Sequence, residues 1–188
     1  MRIAVLGVGN ILLRDEGVGV HLIRELRRLP LPEGVEVIDG GTSPEAAYLA
    51  AGYEKLIIVD AAPLGLSPPG TVYRLTLEEA IRHLGQGGDL RRLHLLSGHE
   101  LDLFQCLSAL GPEEGPKEVV VLGIEPKELG WGLELSPELR AKLGDLCRAV
   151  LRECGFESED GAGPAPAEVR ALLRPDRRGA RASRRDRP

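Results

Sequence analysis

Residues 2–17, RIAVLGVGNILLRDEG, decide the fold. Ile3 to Leu6 form an apolar run with β-branched residues, which suits a strand buried on both faces. Gly7 and Gly9 let the chain leave that strand in a tight loop. Beyond it Val18, Leu22, Leu26 and Leu29 recur at helical spacing, so the loop leads into an amphipathic helix. Strand, glycine loop and helix in that order open a βαβ unit.

The same strand signature returns at VEVID (35–39), KLIIVDAA (55–62), TVYRLTL (71–77) and EVVVLGIEP (118–126). Helical periods lie between several of these, including LEEAIRHL (77–84) and a later one carrying Leu101, Phe104, Cys106 and Leu107. The last is SPELRAKLGDLCRAVLREC (136–154), with Ser136 as N-cap, Pro137 at the first helical position and Glu138 in the first turn. RIAVLGV, LIIVDAA and VVVLGIE are apolar on both faces and read as central strands, whereas TVYRLTL alternates and reads as an edge. The pattern predicts one three-layer α/β/α domain with a twisted, mostly parallel central sheet, over residues 1–156. Ligands of such sheets bind beyond the carboxyl ends of the strands. The positions to inspect are therefore Gly9 and Asn10, Asp39 to Thr42, Asp60 and Ala61, and Gly123 to Pro126.

Composition narrows the partners. The net charge is -5, but residues 174–188 hold seven Arg and two Asp, so this tail is +5 and the rest of the chain -10. An acidic body argues against nucleic acid as a partner. The segment ESEDGAGPAPAE (157–168) has linker composition, so 157–188 is expected to be a disordered linker and Arg-rich tail. No run approaches the roughly 18 apolar residues of a membrane span, and the amino terminus lacks a signal-peptide pattern. The expected location is the cytoplasm. Cys106, Cys147 and Cys154 lack CxxC spacing and read as buried free thiols. No feature assigns an oligomeric state.

A dinucleotide fingerprint would run GxGxxG with an acid ending the second strand. Gly7, Gly9 and Asp39 supply three parts, but Leu12 replaces the third glycine. Asp15, read as the N-cap, and Glu16 then sit at the helix start, where a pyrophosphate would bind. Two like charges about 4 Å apart repel by roughly 4 kcal/mol at an effective dielectric near 20. The loop therefore selects against a phosphate. Asp60 ends the most apolar strand, where a carboxylate must face a solvated crevice or a partner, and His99 opens a helix after Ser97 and Gly98. Of the other histidines, His21 and His83 read as surface or rim residues. Convergence of Glu16, Asp60 and His99 would form an incomplete shell for a borderline divalent metal.

Taken in order, VLGVGNILLRDEGVGV, VIDGGTSPE, LIIVDAA, SGHELDL and VVVLGIEPKEL resemble the hydrogenase maturation endopeptidases over nearly everything before Phe156. The resemblance implies a phosphorylase/hydrolase-like α/β fold. It also implies an endopeptidase that trims the carboxyl-terminal extension from the large-subunit precursor of nickel-iron hydrogenases after nickel insertion. The family's nickel-binding positions fall on Glu16, Asp60 and His99, and the nickel is carried by the substrate and bound transiently. The DGG loop falls on Asp39, Gly40 and Gly41, with Asp39 as a helper in catalysis or substrate placement. Turn chemistry is the alternative role for Asp39. Gly9, Asn10, Gly40, Gly41 and Thr42 are the expected substrate loops. GGTSPE departs from the GGTxG form of many members, and no motif of the family requires the basic tail.

On this reading Asp60 or Asp39 activates water, in an aspartic or metal-dependent type of peptidase. GxSxG is absent, and Cys106 has helical core spacing, so covalent catalysis is not expected. The competing readings are a Rossmann-like nucleotide-binding module and an aminopeptidase-like hydrolase with a resident metal.

Overall fold

The computed structural model describes residues 1–85, 99–111 and 113–156, with side chains left aside for 82–85 and 99–101. Five strands form one sheet: β1 (Ile3–Val8), β2 (Val35–Gly41), β3 (Lys55–Ala61), β4 (Val72–Thr76) and β5 (Glu118–Ile124). Their order is β2-β1-β3-β5-β4. All pairs are parallel except β4 with β5. The alternating segment 71–77 is thus the edge strand its pattern predicts, and it runs against its neighbour.

Side-chain alternation along the central strands sorts the core into two layers. Ile3, Val5, Ile57, Val59, Val120 and Leu122 pack beneath helix α1 (Val18–Leu26) and the last helix, α4 (Pro137–Glu153). On the opposite face Ala4, Leu6, Leu56, Ile58 and Val121 meet the 3-10 segment Pro44–Ala50, helix α2 (Leu77–Gly85) and helix α3 (His99–Ala109). Complete burial of Leu22, Ile57 or Leu139 contributes about 1.5–3 kcal/mol each, and at Ile57 in β3 it opposes a one-residue slip of the strand. The result is the expected α/β/α sandwich.

Helix α4 starts as predicted: Ser136 Oγ accepts the Leu139 N–H at 3.4 Å, with Pro137 in the first turn. Its other end anchors at the amino edge of the sheet, where Glu153 accepts from Lys55 at 2.7 Å and from Arg74 at 2.8 Å. The two arginine and lysine hydrogen bonds hold the Glu153 carboxyl below its usual range, against the opposing effect of burial. Cys147 and Cys154 are buried, and desolvation pushes their thiols up to about 12 and about 11. Neither is a thiolate nucleophile at neutral pH. Cys106 is only half-buried on α3; the core positions there are Leu103, Phe104 and Leu107.

Candidate active site at the carboxyl edge of the sheet

The loop after β1 is built by close backbone approach. Gly9 has φ 125°, and a Cβ there would run into the Glu16 carbonyl oxygen. A Cβ at Gly19 would strike the Val59 carbonyl, so α1 rests directly on the backbone of β3. Asn10 closes the loop with its own side chain: Oδ1 accepts from Leu12 N at 2.9 Å. The Asn10 N–H in turn donates to Glu16 Oε2 at 2.8 Å. The loop amide that a phosphate would need is therefore occupied by a carboxylate, which explains physically why this glycine loop is no phosphate cradle. Glu16 is buried, 5% exposed, in the turn that packs against β3.

Asp15 does not cap helix α1. The chain enters a 3-10 turn at Asp15–Gly17, with no side-chain cap, and Asp15 is completely buried. Its carboxylate accepts three backbone N–H groups from the loop after β5: Lys127 at 2.9 Å, Glu128 at 2.8 Å and Ser136 at 2.7 Å. A buried acid needs partners, and here they are main-chain donors more than 110 residues away in sequence. Arg14, just before it, has φ 54° and ψ -119°, a strained conformation for a residue with a Cβ. It is fixed by its N–H to Gly132 O at 2.9 Å and an ion pair with Glu128 at 3.0 Å.

Asp60 lies in the last turn of pleat of β3, 9% exposed, with Oδ1 accepting the Ala61 N–H at 2.8 Å. It belongs to the same face as Leu56 and Ile58, so it points toward the α2/α3 layer. There it joins Ala62, Leu64, Leu103, Phe104 and Gly123 in lining an apolar cleft. Helix α3, two of whose residues line that cleft, begins at His99. The His99 side chain lies outside the described residues, as do Ser97 and Gly98. Among the described residues no three His, Cys, Asp or Glu side chains are grouped to hold a metal ion.

The DGG segment forms the end of β2 rather than a separate loop. Asp39 Oδ1 accepts the Gly41 N–H at 3.1 Å, the turn chemistry expected of Asp-Gly-Gly. Gly41, at φ 52°, offers its carbonyl to the Gly9 N–H at 2.9 Å and so joins the end of β2 to the loop after β1. Gly40 is buried against Leu6 and Val8, and Thr42 is exposed.

Two neighbours escaped the sequence reading. Glu125, 5% exposed, accepts from Gly65 N at 3.0 Å and Tyr73 Oη at 2.7 Å, pinning the β3–β4 loop beside Asp60. An acid ending an apolar strand was the signal, the same one that marks Asp60. His21 is not a plain rim residue: its Nε2 is buried and has no hydrogen-bond partner among the described residues. Burial, then Arg24 and Arg140, push this imidazole below 6.5.

A family model described as hydrogenase maturation protease matches residues 20–153. The hydrogenase 2 maturation protease of Escherichia coli K12 is 38% identical over 164 residues, spanning 84% of this chain and 95% of that protein. The hydrogenase expression/formation protein HupD of Bradyrhizobium diazoefficiens is 36% identical, spanning 91% and 88%. Among solved structures, the hydrogenase maturating endopeptidase HybD from Escherichia coli superposes with a TM-score of 0.68 at 37% identity, covering 82% of this chain and 94% of that one.

Proposed function

The chain belongs to the hydrogenase maturation protease family and is a peptidase, and from that premise we propose how it selects and cuts its substrate. The substrate is the precursor of a nickel-iron hydrogenase large subunit, from which the enzyme removes the carboxyl-terminal extension after nickel insertion. The nickel arrives on the precursor's own thiolates and is completed transiently by Glu16, Asp60 and His99. What supports this is one observation above all: Glu16, in the 3-10 turn that follows the β1 loop and packs against β3, and Asp60, near the carboxyl end of β3, are both buried carboxylates. A cation held between two such acids would offset their repulsion and the cost of burying them.

Docking of the metal brings the scissile peptide to the crevice, so recognition and positioning are one event. Asp60 accepts a proton from water as the oxygen attacks the peptide carbonyl, and the proton passes to the leaving amine. Asp39 has one carboxylate oxygen committed to Gly41, which favours a placement role: it fixes the loop that Gly40, Gly41 and Thr42 offer to the substrate, opposite Gly9 and Asn10. The proposed setting is the cytoplasm; no helix among the described residues is long and apolar enough to cross a membrane. Residues 1–156 are the proposed protease domain, with 157–188 outside it.

Incubation with nickel-loaded and nickel-free precursor tests the reading. Trimming of the loaded form alone is expected, with a loss of about a hundredfold or more in Glu16→Ala, Asp60→Asn and His99→Ala. Equal trimming of both forms would overturn it.

A further inference from the structure

We infer that Trp131, Leu133 and Leu12 form the docking surface for the folded body of the precursor, apart from the peptide that enters the crevice. The inference rests on the proposed substrate and adds the place where that protein is gripped. Trp131 is 81% exposed, Leu133 65% and Leu12 47%, all on the carboxyl edge of the sheet. Leu12 belongs to the β1–α1 loop, four residues before Glu16, and the other two to the loop between β5 and α4. The two loops are hydrogen-bonded to each other: Gly132 N donates to Leu12 O at 2.9 Å, and Arg14 N donates to Gly132 O at 2.9 Å. Leu66, 74% exposed, lies in the β3–β4 loop, at the same carboxyl end of the sheet, next to Gly65, whose N–H donates to Glu125.

An exposed tryptophan on a wandering loop would carry little meaning, but this loop is fixed. The buried Asp15 carboxylate ties down both of its ends through Lys127, Glu128 and Ser136. A large aromatic presented on a rigid frame loses little entropy when covered, which is the character of a binding hot spot. Asp15 and Glu16 are consecutive, so the backbone that holds the apolar platform also places the crevice carboxylate. The occupant must therefore reach both at once, and a protein substrate whose peptide lies at Glu16 does so. Two other occupants fit less well. The carboxyl-terminal segment 157–188 is Arg-rich and offers only Val169, Leu172 and Leu173 as large apolar side chains to set against Trp131, Leu133 and Leu12. A second copy of the chain seated there would stand across the approach to Glu16.

Trp131 is the only tryptophan in the sequence, and this supplies the probe. The full chain is labelled with 5-fluorotryptophan and its single fluorine resonance followed alone, on dilution, after truncation at Phe156, and with nickel-loaded precursor. The expected result is a solvent-exposed signal that is unchanged by dilution or truncation and shifts or broadens with precursor. In parallel, Trp131→Ala and Leu133→Ser should raise the KM for precursor at least tenfold with kcat and melting temperature retained, and Trp131→Phe should restore most of the loss. A signal that moves on dilution identifies a second copy, and one that moves on truncation identifies the tail; either overturns the proposal. So does precursor trimming with unaltered KM in the Trp131→Ala enzyme while the wild type is active. An inactive wild type would instead defeat the substrate assignment, and this proposal with it.

Discussion

The Asp15 carboxylate accepts the Ser136 N–H at 2.7 Å, joining the start of the first helix to the start of the last across 121 positions of sequence. Two further amides share the same carboxylate. Asp15→Ala leaves three donors without that acceptor, and each buried orphan costs about 1–3 kcal/mol. We expect a loss of at least 3 kcal/mol in chemical denaturation. Asp15→Asn retains one acceptor oxygen and should lose less; equal stability of the alanine variant and the wild type would refute the clamp.

Gly9→Ala tests the seat of Glu16. The new Cβ meets the Glu16 carbonyl, and φ 125° is strained for alanine. The backbone must yield, at a cost of about 1–3 kcal/mol. A displacement of about 1 Å at a reacting group is enough for a hundredfold loss of rate. Activity should therefore fall far more than the melting temperature does, as measured by precursor trimming beside calorimetry.

His21 makes stability depend on pH in a calculable direction. Its pKa in the folded protein lies below 6.5 because of burial and the arginines Arg24 and Arg140. The unfolded chain binds the proton first as pH falls, so acidification below about 6.5 favours unfolding. His21→Gln removes this term, and its melting temperature relative to wild type should be higher at pH 5.5 than at pH 8. An offset that does not change with pH would exclude the effect.

Glu125 holds the loop that follows Asp60, with burial and its hydrogen bond to Glu125 both raising the Tyr73 hydroxyl above 10. Tyr73→Phe should cost about 1 kcal/mol. Glu125→Ala should in addition free the Gly65 amide, seen as faster hydrogen exchange there. Unchanged exchange at Gly65 would show that other contacts hold the loop.

Sequence patterns carried the sheet because burial leaves a periodic record: the central strands carry apolar residues on both faces, and Tyr73, Arg74 and Leu75 alternate as an edge strand does. Asp60 was legible for the same reason, as an acid ending a run that is otherwise wholly buried. Asp15 was misread as a cap because its partners are amides, and an amide has no signature in sequence. The Trp131 platform was equally silent, since an exposed aromatic in a glycine-rich loop resembles any turn until the pairing of Gly132 with Leu12 is known. His21 looked peripheral because its helical position does not reveal what the distant Arg140 brings beside it.

The position of Glu16 is specified by main chain against main chain: Gly9 under its own carbonyl, Gly17 against Ile11, Gly19 against Val59. Such an address rests on backbone shape, with the Asn10 and Asp15 side chains bracing it. Under the proposed function, exposed residues such as Leu12, Leu66 and Trp131 can differ with the client while the carboxylate keeps its place, so one centre would serve many differently shaped clients.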